Sequence, residues 1–151
     1  QHKVPALLTQ IFNEYGCIVY RPSFRGLGGS EGVHDEGHGE TEDILAVIEH
    51  VRKLHAGLPF YAGGFSFGSH VLAKCHAQLS PELQPIQLIL CGLPTATVVG
   101  LRHYDITLLS DAIEWAKPQK HPITILPGAN HFFTGYLKQL RQIITRFIIM
   151  K

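Results

Sequence analysis

Cysteine is scarce in this chain of 151 residues, and the three present, Cys17, Cys75 and Cys91, form no C-x-x-C pair. Neither a zinc site nor a disulfide framework is indicated. Their neighbours are mostly apolar, as in Gly16-Cys17-Ile18-Val19 and Leu88-Ile89-Leu90-Cys91, so they read as reduced thiols packed as small hydrophobes in a cytoplasmic setting. Charge of one sign is equally lacking. Thirteen Lys and Arg against twelve Asp and Glu leave a formal charge of +1, too weak to draw nucleic acid or an anionic membrane as partner. No apolar run approaches the ~20 residues of a membrane helix, and no signal peptide is visible. No low-complexity stretch or linker divides the chain, so residues 1–151 are expected to form one domain. Nothing specifies an oligomeric state.

What is present is globular: 45% hydrophobic and 17% charged residues, with 15 Gly and 9 Pro spread along the chain. Hydrophobic spacing predicts helices over Val4 to Tyr15, Glu40 to His55, Phe67 to Leu79, Leu108 to Ala116 and Phe133 to Ile149. Short apolar runs bounded by Gly and Pro predict strands at Cys17–Tyr20, Leu58–Gly64, Ile86–Cys91, Thr97–Gly100 and Ile123–Leu126. The alternation implies an α/β fold with a mostly parallel sheet and helices on both faces. Ligands of such sheets bind beyond the carboxyl ends of the strands. The chain opens on Gln1, already close to a helix, and is expected to be N-terminally incomplete.

Gly64-Phe65-Ser66-Phe67-Gly68 follows a predicted strand and leads at once into a predicted helix. This is the G-x-S-x-G elbow in its required context. The central serine is held in a strained turn, and the flanking glycines avoid collisions with the neighbouring strand and helix backbones. Ser66 is thereby the candidate nucleophile, and the Phe67 N–H at the helix start is a candidate oxyanion donor. A hydroxyl needs an adjacent base. In Leu126-Pro127-Gly128-Ala129-Asn130-His131-Phe132-Phe133, His131 lies after the last strand, where the fold places that base. By contrast His50, His55, His70 and His76 sit on predicted helices, and His121 precedes the last strand.

The order serine, acid, histidine leaves four carboxylates: Glu82, Asp105, Asp111 and Glu114. Asp105 lies just past the fourth strand, at the correct edge of the sheet, and is favoured; Asp111 is the alternative.

Four stretches together resemble a known family: Arg25-Gly26-Leu27-Gly28-Gly29-Ser30-Glu31-Gly32 with Glu40 and Asp43, Gly63 to Ser69, Leu109-Ser110-Asp111 through Trp115-Ala116-Lys117-Pro118, and Pro127 to Phe133. The chain is similar to the small, lidless α/β-hydrolases related to dienelactone hydrolase. The resemblance implies an α/β-hydrolase fold lacking its first strands, with Ser66 and His131 as the catalytic pair. Members of that family open with further strands and a His-Pro-His-Pro-like segment, where the second oxyanion donor is expected. Their Gly-x-x-Asp acid motif is here stretched to Gly100 through Asp105.

Competing signals are weaker. His34-Asp35-Glu36-Gly37-His38-Gly39-Glu40 offers metal-ligand types without a rigid spacing to orient them. Arg25-Gly26-Leu27-Gly28-Gly29-Ser30 lacks the Gly-Lys-Ser/Thr ending of a phosphate loop. Lys138, Arg141, Arg146 and Lys151 on the last helix fit a solvated face as well as a membrane surface. The expected function is hydrolysis of an ester-like or other acyl bond of a small substrate by a Ser-His-Asp triad, with no metal and no cofactor. A non-catalytic scaffold or ligand-binding protein of the same fold, and a peptidase or thioesterase, are the alternatives.

Overall fold

The computed structural model of the protein describes residues 3–93, 113–114, 116–118 and 122–148. Helix α1, Lys3–Glu14, buries Val4, Leu8, Ile11 and Phe12, a stripe at helical spacing. It stops at Gly16, whose φ of 79° suits a residue without a side chain and whose N–H returns to the Asn13 carbonyl at 2.9 Å. Helix α2, His38–Leu54, buries Ile44 and Ile48 and carries Glu40 in its first turn and Arg52 and Lys53 in its last. Those charges complement the helix dipole. Strand β1, Tyr61–Phe65, leads into helix α3, Phe67–Gln78, and strand β2, Gln87–Cys91, follows. The final helix, α4, is Leu137–Phe147.

The two strands run parallel, with Tyr61 opposite Gln87 and Phe65 opposite Cys91. Side chains alternate across a strand, and each face has its own core. Phe65, Ile89 and Cys91 pack with Val4, Leu8 and Ile11 of α1 and Leu140 and Ile144 of α4. On the opposite face Ala62 and Leu88 line a cleft with Ile48 of α2, Leu72 and Cys75 of α3, and Leu79 just past it. The result is helix, sheet, helix, as the alternating pattern predicts. The carboxyl ends of both strands, at Phe65 and Cys91, lie side by side and open onto the loops that carry the candidate site.

Two expectations are corrected. Cys17–Tyr20 and Ile123–Leu126 form no strand among the described residues. A strand is defined by its pairing, and no described segment pairs with either. Ile18 is 64% exposed, and the Tyr20 hydroxyl is spent on His55 Nε2 at 2.8 Å. Ile123 and Ile125 are likewise exposed, whereas Leu126 packs on the α1–α4 core. The predicted strand Thr97–Gly100 lies outside the described residues. The basic face of α4 belongs to a packed helix: Leu140 and Ile144 are buried, and Arg141 pairs with Glu14 of α1. Among the described residues no helix is long and apolar enough to cross a membrane.

Candidate active site

The turn between β1 and α3 is built around Ser66, which has φ 54° and ψ −124°, a backbone conformation that costs a residue with a Cβ. Three hydrogen bonds hold it there. The Ser66 N–H donates to the Cys91 carbonyl at 2.9 Å, and the Ser66 carbonyl accepts from Ser69 and His70 at 2.9 and 3.2 Å. The fully buried Ser69 hydroxyl adds a bond to the same Cys91 carbonyl at 2.9 Å, tying α3 to the end of β2. The N–H of Phe67 is the first of α3, one of the groups a helix cannot satisfy itself.

The flanking glycines divide in role. A Cβ on Gly64 would lie 2.8 Å from the backbone of Gly68 and Ser69, so strand and helix approach too closely for any side chain. A Cβ on Gly68 would meet only the Phe24 ring, at 3.9 Å, an ordinary contact. The collision expected of both glycines belongs to Gly64 alone.

His131 stands in a tight loop. The Ala129 N–H donates to Leu126 and the Phe133 N–H to Asn130, and the Asn130 side chain accepts from the Thr134 N–H at 2.9 Å. Phe133 takes a φ of 53°, which turns the chain back toward α4. This loop brings His131 Nε2 to 2.8 Å from Ser66 Oγ, across 65 residues of sequence. The half-buried imidazole lies against two phenyl rings. Phe65 lies 5.2 Å away, tilted by 31°, and Phe132 meets it edge-on at 5.2 Å and 74°.

Of the four candidate acids, two are placed, and both are engaged elsewhere. Glu82 is exposed and accepts from the Ser80 hydroxyl at 2.6 Å, while Glu114 pairs with Lys117 at 3.1 Å on the surface. Asp105 and Asp111 lie outside the described residues.

The glycine-rich loop from Ser23 to Gly39 is organised by two carboxylates. Arg25 forms a bidentate pair with Asp43, both bonds 2.8 Å, which raises the guanidinium's affinity for its proton and lowers that of the Asp43 carboxyl. Glu40 is fully buried; its oxygens accept from the N–H groups of Asp35 and Gly37 at 2.8 and 2.9 Å, and His34 Nδ1 lies 2.8 Å away. The oxygens of Glu40 are therefore committed to holding the loop. The His34 ring stands edge-on to Phe67 at 5.1 Å and Phe24 does so at 5.2 Å, so the loop rests against the residue after Ser66.

Burial pushes the Glu40 carboxyl upward, but the N–H groups of Asp35, Glu40 and Gly37, together with His34, hold it below its ordinary 4.5. A carboxyl lowered by folding stabilises the protein above its unfolded value, and that contribution fades as pH falls through the folded value. A Glu40→Gln variant cannot serve both N–H groups as well and is expected to lose about 1.5–3 kcal/mol at neutral pH. Thermal unfolding of both proteins from neutral pH to below 4.5 checks this: the gap should close on acidification, and a gap independent of pH would contradict it.

No protein-family model matches the chain. Its fold matches a lidless α/β serine hydrolase from Xanthomonas campestris at a TM-score of 0.83 and 25% identity, covering 100% of this chain and 76% of that one. An α/β serine hydrolase homologue from Coxiella burnetii superposes at 0.82 with 27% identity, over 99% and 77% of the two chains. The chain therefore has an α/β-hydrolase fold. An uncharacterised protein of Rickettsia prowazekii is 25% identical over 98% of this chain and 71% of its own length.

Sequence reasoning about this fold pointed to the loop of His131 and missed the groups that hold it there. Asn130 had a legible signal, since an Asn before a turn commonly bonds a backbone N–H a few residues on. Phe65 and Phe132 had none, because each reads equally well as core.

Proposed function

We propose that this protein is a serine hydrolase that cleaves an ester-like or other acyl bond of a small substrate. The reading is carried by one observation: Ser66 Oγ, raised on a strained turn, lies 2.8 Å from His131 Nε2. A nucleophile and a base within hydrogen-bond reach form the working unit of acyl transfer.

In the proposed reaction Ser66 Oγ bonds to the acyl carbon as His131 takes its proton, and the Phe67 N–H stabilises the oxyanion. Collapse breaks the bond to the leaving group, which departs with the proton from His131. Water then attacks the acyl-enzyme, giving its proton to His131, which passes it to Ser66 Oγ as the bond to the acyl carbon breaks and the acid leaves. Asp105 is proposed to hold His131 in the tautomer that presents a bare Nε2 to the hydroxyl. No cofactor enters this sequence. The cysteines are free thiols, which suits a cytoplasmic enzyme.

A fluorophosphonate probe tests the reading. Stoichiometric labelling that disappears in Ser66→Ala supports it; no labelling of the folded protein favours a non-catalytic scaffold instead. Applied to Asp105→Asn and Asp111→Asn, the same probe identifies the acid as the one whose loss slows labelling.

A further inference from the structure

We propose that Gly92 is a positioning residue of this site, whose missing side chain gives the His131 imidazole its seat; the proposal rests on the reading of Ser66 and His131 as nucleophile and base. Gly92 follows β2 directly and has a φ of 58°. A Cβ built there would lie 3.3 Å from His131 Cε1, 3.4 Å from His131 Nδ1 and 3.4 Å from Phe65 Cε2. The contact to Cε1 is tighter than side-chain atoms ordinarily keep, and the other two lie at the edge of ordinary contact. All three atoms belong to rigid rings, so relief requires a whole ring to move.

Two ring contacts and one hydrogen bond set where the imidazole sits. Phe65 lies against it at 5.2 Å, Phe132 meets it edge-on at the same distance, and the two phenyl centroids are 6.3 Å apart. The ring atoms nearest position 92 include Cε1, which is bonded to Nε2, the atom that reaches Ser66 Oγ at 2.8 Å. A push on Cε1 is therefore transmitted to the nitrogen that must accept the serine proton. Gly92 also neighbours Cys91, whose carbonyl accepts the Ser66 N–H and the Ser69 hydroxyl. The end of β2 thus fixes the nucleophile through residue 91, and the residue after it leaves space for the base.

A purely conformational role makes a different prediction. The φ of 58° is left-handed, where glycine is favoured and asparagine is tolerated far better than alanine. If backbone conformation were all that mattered, Gly92→Asn would outperform Gly92→Ala. If space is what matters, the larger Asn gains nothing.

Both variants of the full protein are compared with wild type for fluorophosphonate labelling, for kcat and KM with p-nitrophenyl acetate, and for thermal unfolding. The expected result is a fall of about 3–10-fold in labelling rate and kcat in both, because the shift needed is well short of the ~1 Å that costs about 10²-fold. KM should be little changed, because Gly92 acts through the imidazole, and Asn should be no better than Ala. Wild-type rates in either variant, a loss confined to KM, clear rescue by Asn, or failure of both to fold would each overturn the positioning role. Failure of the underlying hydrolase reading is recognised separately, since wild-type protein would then not be labelled at Ser66.

Discussion

In a His131→Ala variant, hydrolysis and fluorophosphonate labelling are expected to fall by about 10⁴–10⁶-fold, as they do when the base of a serine triad is removed. The magnitude follows from the chemistry of the hydroxyl. A serine side chain is a weak nucleophile near neutral pH, and at 2.8 Å His131 Nε2 is the group placed to take its proton as the new bond forms. Folding should suffer much less. The imidazole is only half-buried, and its ring contacts with Phe65 and Phe132 are worth about 0.5–1.5 kcal/mol each. For a chain of this size the two together correspond to a fall of about 2–12 °C in Tm. The expected signature is thus a folded protein with little activity, read by calorimetry beside a stopped assay. A fall of less than tenfold would exclude His131 as the base and leave the 2.8 Å contact without a catalytic meaning.

The parts of this molecule legible in its sequence are those whose cause is local. Leu8, Ile11 and Phe12 sit one helical turn apart, so α1 and its buried stripe follow from spacing alone. The elbow is legible for the same reason: strand, glycine, serine and helix start are consecutive, and the turn between Phe65 and Phe67 needs nothing from far away to be recognised. His131 could be placed because strand order and chain order constrain which loop faces the elbow, although the contact spans 65 residues.

Features set by distant neighbours were illegible. Cys17–Tyr20 has the composition of a buried strand, yet pairing is a property of two segments, and no described segment pairs with it. Gly92 sits after an apolar run like any turn glycine; only the approach of a loop about 40 positions on reveals what its missing side chain permits. The acid falls in the same class. Asp105 and Asp111 are separated by sequence position alone, and the distance that would choose between them is not written in either local context.

The two glycines of the elbow yield the second large effect, and they yield it with opposite signs. At Gly64 a methyl group would press at 2.8 Å on the Gly68 carbonyl group and the Ser69 nitrogen, atoms of the backbone that no rotamer change can move. Gly64 itself is held in register opposite Leu90 of β2. The strain must therefore push α3 away from β1. That displacement strains the bonds from Ser69 and His70 to the Ser66 carbonyl and the buried Ser69 hydroxyl bond to Cys91. Gly64→Ala is expected to cost about 1–3 kcal/mol or more, as overpacking does. In Tm that is a fall of about 2–12 °C. It should also lower Ser66 labelling, because the turn that carries Ser66 moves with α3. At Gly68 the same methyl would touch only the Phe24 ring at 3.9 Å, inside a helix where alanine is favoured over glycine by about 1 kcal/mol. Gly68→Ala should leave Tm unchanged or raise it. Equal destabilisation by the two substitutions would mean that the motif needs glycine for a reason other than the contact between β1 and α3.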